Sequence, residues 1–124
     1  MSDVPVKILV VDDDEFTAEM TGMFLEIAGY EAIIAIGGMD ALDKIAIDPE
    51  IRLVLSDMNM PFMDGIQLFA ELRGQGFVQP FVLLTGEESA PLKQAHPKLD
   101  AVLTKDEDLR DKLPELVAEL LAGC

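Results

Sequence analysis

Five short stretches of almost unbroken apolar character are spaced along the chain: residues 7–11 (KILVV), 31–36 (EAIIAI), 53–56 (LVLS), 81–84 (FVLL) and, more weakly, 101–104 (AVLT). Apolarity that is continuous, not alternating, marks strands covered on both faces. Between these runs the spacing becomes helical. Phe16, Met20, Met23, Phe24 and Ile27 recur at helical intervals, with Gly29 where a helix would stop. This predicts a first helix with its methionines in the core.

Gly37 and Gly38 open a second helical segment, whose stripe is Ala41, Leu42, Ile45 and Ala46 and which ends before Pro49. A loop over 58–64 precedes a third, with Ile66, Phe69, Ala70 and Leu72 on one face and Gly74 at its end. In the segment 87–99, Pro91 and Pro97 leave room for about two turns, so the fourth helix is expected to be short and irregular. The last segment, 106–121, has an acidic first turn and a leucine-rich face. It also contains Pro114, which is expected to kink or restart the helix.

Strands alternating with helices through short loops imply right-handed crossovers and a parallel sheet with helices on both faces. The expected fold is one α/β domain over residues 1–124. It is a doubly wound, five-stranded sheet of flavodoxin-like order 2-1-3-4-5 in three layers. No composition shift marks a boundary, no close repeat is visible, and no effector domain is expected in this chain.

Composition narrows the function. With 124 residues, half of them apolar, the chain can bury a core. No apolar run is long enough to span a membrane, and MSDVPVK lacks the features of a signal peptide, so a cytoplasmic protein without a membrane partner is expected. The one cysteine, Cys124, is the last residue and is read as a free thiol. Asp and Glu number 24 against nine Lys and Arg, a net charge of −15 with no basic cluster. Such a surface repels a phosphate backbone, which disfavours direct nucleic-acid binding.

The chemistry is expected at the carboxyl ends of the strands, where open sheets of this kind bind ligands. The first run ends in Asp12, Asp13 and Asp14, the third in Asp57, the fourth in Thr85 and the fifth in Lys105. With strands 1 and 3 adjacent, Asp12, Asp13 and Asp57 converge. Three carboxylates so close need either protonation of one of them or a hard divalent cation. Oxygen-only ligands with room for waters suit magnesium. A carboxylate at such a site is also a workable nucleophile toward phosphorus, with Thr85 and Lys105 of the right type to hold the other phosphoryl oxygens. Acids after a strand often only cap the next helix, and Asp14 or Glu15 is read that way.

Four segments, in order, resemble the receiver domain of two-component response regulators over essentially the whole chain. They are Ile8 to Asp14 (ILVVDDD), Asp57 to Gly65 (DMNMPFMDG), Leu83 to Gly86 (LLTG) and Leu103 to Lys105 (LTK). The resemblance implies that Asp57 is the phosphoacceptor. It implies that Asp13, Asp57 and the Asn59 carbonyl ligate magnesium or another divalent ion such as manganese, with Asp12 holding a metal-bound water. Thr85 would bond a phosphoryl oxygen, Lys105 would pair first with the aspartate and then with the phosphoryl group, and Gly86 would leave room for its approach. Asn59 and Glu87 flank the pocket where water attacks, which implies a short-lived phosphoryl group. Such a protein is a switch that catalyses its own phosphorylation and dephosphorylation, and is not an enzyme acting on other substrates. Its donor is a sensor histidine kinase or a histidine phosphotransfer protein, and its output goes to a downstream protein that the sequence does not name.

Three departures from the family pattern fall on its usual output face. Val102 stands at the output-switch position, where the family commonly has Tyr or Phe. Asp106 follows Lys105 in place of proline, and a cis bond there would cost about 2.5–4 kcal/mol. Two prolines occupy the fourth-helix segment. Output through an atypical partner surface is therefore expected.

Two rival readings remain. Asp12 to Thr17 (DDDEFT) also resembles the Asp-x-Asp motif of haloacid dehalogenase-like phosphatases, with Asp12 as nucleophile and Asp14 as acid/base. A pseudo-receiver would keep the fold as a phosphate-independent binding module. The lone His96, beside Pro97, reads as a surface cap and not as a catalytic or metal group.

Overall fold

Ten elements alternate along the computed structural model, which describes residues 5–122. They are β1 (Lys7–Val11), α1 (Glu15–Ile27), β2 (Glu31–Ala35), α2 (Gly38–Ile47) and β3 (Ile51–Asp57), then α3 (Gly65–Gly74), β4 (Phe81–Thr85), α4 (Ser89–Ala95), β5 (Ala101–Thr104) and α5 (Leu109–Ala122). Cys124, read as a free thiol, lies outside the described residues.

The five strands are parallel, as the alternation predicts, and run in the order β2-β1-β3-β4-β5 expected of the doubly wound fold. Every strand therefore points its carboxyl end to the same edge. The three inner strands are buried along nearly their whole length, which is why their sequences read as unbroken apolar runs. One face of the sheet packs Ile8, Val10, Leu53, Leu55, Val82 and Leu84 against α1 and α5. The other packs Leu9, Val11, Val54, Phe81 and Leu83 against α2 and α3, with Leu92 of α4 at the margin.

The first helix buries a different face from the predicted one. Ala18, Thr21, Gly22 and Leu25 meet the sheet, whereas Phe16 (72% exposed), Met20, Met23 and Ile27 (81%) face solvent. The reason is steric. A Cβ at Gly22 would lie 3.2 Å from the Ala32 Cβ, so small residues let the helix sit close to β2 and the bulky ones turn outward. Both faces of α1 are apolar, and periodicity alone picked the larger residues.

Prolines shape the fourth and fifth helices differently. Pro91 is the third residue of the seven-residue α4, where the N–H it lacks would have had no intrahelical partner. Pro97 follows the cap, His96, whose N–H donates to the Leu92 carbonyl. In α5 the expected restart does not occur. Pro114 lies inside one continuous helix, held down by Leu109, Leu113 and Val117 against the sheet.

Candidate functional site

The site is built where the strands end. Asp12 follows β1, and its N–H donates to the Ala35 carbonyl, continuing the sheet. Its side chain is 6% exposed, and the carboxylate is held from two sides. Oδ1 accepts the Asp14 N–H at 2.9 Å, and Oδ2 accepts from Lys105 Nζ at 3.1 Å. Asp14 is spent elsewhere: its carboxylate caps α1, accepting from the Phe16 and Thr17 N–H groups and from the Thr17 hydroxyl. Asp13, between them, is exposed.

Asp57 is the last residue of β3, with its side chain largely buried. Carboxylate oxygens of Asp12, Asp13 and Asp57 all lie within 4.8 Å of one another. Lys105 Nζ reaches Asp57 Oδ1 at 2.7 Å while keeping its bond to Asp12. Backbone room for this comes from Gly65 at the start of α3, where a Cβ would come within 2.7 Å of the Asp57 carbonyl oxygen. The Asp64 carboxylate and the Gln67 side chain form a reciprocal capping box that fixes this helix start.

Burial pushes Asp57 above the ordinary carboxylate range. Lys105 pulls it back by hydrogen bond and charge, and the fields of Asp12 and Asp13 raise it again. For Lys105, burial disfavours the ammonium, but its bonds to Asp57 and Asp12 prevail and leave it above its usual value. Three carboxylates thus face this ammonium, an excess of two negative charges that a single divalent cation cancels.

The remaining predicted residues fall around this centre. Thr85 ends β4 fully buried, and its hydroxyl accepts the Glu87 N–H at 3.1 Å. Asn59, Gly86 and Glu87 are exposed in the loops after β3 and β4. Val102 is half-buried against the α2–α3 side of the core. The Lys105–Asp106 peptide is trans. One contact was not anticipated: the Thr104 hydroxyl donates to the Glu87 carbonyl at 3.1 Å. Its only sequence signal is a polar residue closing an otherwise apolar strand.

The sequence profile described as "response regulator receiver domain" matches residues 8–117. The chain belongs to that family. The receiver is 43% identical over 84 residues to the response regulator MprA of Mycobacterium tuberculosis, an alignment covering 68% of this chain and 36% of MprA. It thus spans about a third of the length of that relative. The structure of the Francisella response regulator 1452 receiver domain superposes with a TM-score of 0.83 at 31% identity, covering 94% of this chain and 96% of that one. Response regulator TrrA of Thermotoga maritima, solved in complex with Mg²⁺–BeF, superposes at 0.81 with 29% identity, covering 92% and 97%. Family membership displaces the phosphatase reading, and the geometry of the receiver agrees, because the carboxylate of Asp14 is committed to capping α1. Among the described residues no helix is long and apolar enough to cross a membrane.

Proposed function

We propose that this receiver takes a phosphoryl group from a phosphohistidine of a sensor kinase or phosphotransfer protein onto Asp57, in the cytoplasm, and passes the signal to a downstream protein. The observation that carries the proposal is Lys105 bridging Asp57 and Asp12, with Asp13 on the open side. An acceptor carboxylate, a charge partner and a set of hard oxygen donors are in place before any donor arrives.

The oxygen-only donors and their surplus of negative charge fit magnesium or manganese. Asp13, Asp57 and the Asn59 carbonyl would hold the ion, with Asp12 acting through a bound water. The ion would supply charge neutralisation for the transferring phosphoryl oxygens. The chain's own groups do the rest. An Asp57 oxygen bonds to phosphorus as the P–N bond of the donor breaks, and the bond's electron pair stays with the imidazole, which leaves neutral because its other ring nitrogen already carries a proton. Lys105, released from Asp57 Oδ1, pairs with a phosphoryl oxygen, and the Thr85 hydroxyl turns toward another. Gly86 places no side chain in the path, and Asn59 and Glu87 flank the approach of hydrolytic water, which keeps the acyl phosphate short-lived.

The exposed stripe of Phe16, Met20, Met23 and Ile27 has the 4-3-4 spacing of a helix-pairing seam and begins two residues after the Asp14 cap. We assign it to the histidine-bearing helix of the donor, whose phosphoryl group must reach Asp57 next door.

Incubation with acetyl phosphate and magnesium, followed by mass mapping, tests the reading. The phosphoryl group is expected on Asp57 and is expected to disappear in Asp57→Asn or with EDTA. Label on Asp12 would restore the phosphatase reading. No label under any condition would leave a binding module.

A further inference from the structure

Both backbone groups of Glu87 are held by threonines of neighbouring strands. Its N–H donates to the Thr85 hydroxyl at 3.1 Å, and its carbonyl accepts from the Thr104 hydroxyl at 3.1 Å. Thr85 and Thr104 are themselves register partners in the β4–β5 ladder, and the Lys105 N–H closes on the Thr85 carbonyl at 2.7 Å. Glu87 is therefore the node between the strand that ends at the pocket and the strand that leads to Lys105.

Val102 and Thr104 lie two residues apart in β5 and so point to the same face of the sheet. Val102 has no polar atom and packs against the core. Thr104 carries the hydroxyl on that face. It is held by a second bond, since its carbonyl accepts the Asp106 N–H at 3.0 Å. A proline at 106 has no N–H to give. Of the two departures around Lys105, Asp106 bonds Thr104 through its N–H, and Val102 leaves the Thr104 hydroxyl as the polar side-chain group on that face of β5.

We propose that Thr104 is the positioning residue that couples the phosphorylation pocket to β5 and α4, through its hydroxyl bond to the Glu87 carbonyl, so that the usual output elements are still reached, contrary to the expectation of an atypical surface, but by a different residue. The inference rests on the phosphoacceptor reading above. When the Thr85 hydroxyl turns to a phosphoryl oxygen, the Glu87 N–H loses its acceptor and the loop is free to shift. The Glu87 carbonyl remains tied to Thr104, so the shift is carried into β5. Without that tie the loop would move alone.

Thr104→Val removes the hydroxyl at nearly constant shape, and Thr104→Ser keeps it. Two measurements separate the tether from the phosphorylation chemistry. In the free protein, amide hydrogen exchange at Glu88 to Ala90 is expected to be about tenfold faster in Thr104→Val and near wild type in Thr104→Ser, the scale of one lost hydrogen bond. With magnesium and beryllofluoride, amide shifts at Asp57 to Asn59 report the pocket itself. In Thr104→Val these are expected to persist while the shifts at 89–95 and 101–104 collapse, and Thr104→Ser restores them. Unchanged exchange, or a full wild-type response in β5 and α4 of Thr104→Val, overturns the proposal. Absence of any response at Asp57 in the wild type would instead strike the phosphoacceptor reading, while the exchange result would still judge the tether.

Discussion

The two ends of the sheet treat charge in opposite ways. At the amino ends of the strands, the ion pairs among the described residues close structural loops. Lys7, first residue of β1, pairs with Asp48 at 2.9 Å and Glu50 at 3.3 Å, just before β3. Arg73 of α3 donates to the Phe77 and Gln79 carbonyls and to Asp100, lies 4.8 Å from the centre of the Phe69 ring, and so pins the start of β4. Asp100 Oδ2 also accepts the Phe81 N–H at 2.8 Å. At the carboxyl ends, by contrast, Asp12, Asp13 and Asp57 crowd one lysine. One end fastens the fold, and the other holds unfavourable charge in readiness for ligands.

The largest test of this contrast is to supply the missing positive charge. Magnesium at about 100 times its dissociation constant should raise unfolding stability by about 2.7 kcal/mol, read as a shift in urea midpoint against EDTA. A gain that survives in Asp13→Asn would break the contrast, because the ion would then bind elsewhere. Next, Arg73→Ala should cost about 2 kcal/mol, since it removes charged hydrogen bonds to two carbonyls and a carboxylate. The same urea titration checks it, and phosphorylation at Asp57 should be retained.

Acid should separate the two ends by sign. Asp57 has its folded pKa raised, so its contribution to stability is full below the ordinary carboxylate value of 3.8 and is lost as pH rises through the higher folded value. Asp48 is lowered, chiefly by its hydrogen bond from Lys7, so its contribution is present above 3.8 and is lost as pH falls through the lower folded value. In metal-free buffer, Asp57→Asn should therefore gain stability at neutral pH and flatten the stability profile above pH 3.8. Asp48→Asn should flatten it only below that point. Coincident profiles would show that burial does not hold Asp57 above the ordinary carboxylate range.

The smallest effect concerns backbone. Phe62, in the loop beside the site, is fully exposed at φ 69°, a left-handed conformation that side chains with a Cβ resist. Phe62→Gly should stabilise by about 0.5 kcal/mol, relieved strain exceeding the added freedom of the unfolded chain, as thermal unfolding would show. A loss instead would mean that the ring is held by contacts and is not strained.

The strands and the edge carrying the site were legible because buried parallel strands advertise themselves as apolar runs and their last residues change abruptly to Asp, Thr and Lys, whereas the strand order came from the expected doubly wound fold. Exact lengths were less so: Arg52 is exposed and sits at the register shift between β1 and β3, which hid the first two residues of β3. The buried face of α1 was misread because Gly22 and Ala18 speak through close approach, which hydrophobic spacing does not record. In the site, Asp12, Asp13, Asp57 and Lys105 stood out as polar ends of apolar runs. The Thr104–Glu87 bond was invisible, since half of it is a main-chain carbonyl that any residue carries.

The bare apolar stripe on α1 has a consequence for how copies of this molecule treat one another. A net charge of −15 surrounds every such stripe with mutual repulsion, which keeps sticky surfaces apart in dilute buffer. Salt shortens the reach of that repulsion to about 10 Å at 0.1 M, close to the breadth of a helix. At a given concentration, added salt should therefore favour clustering of this protein through these stripes.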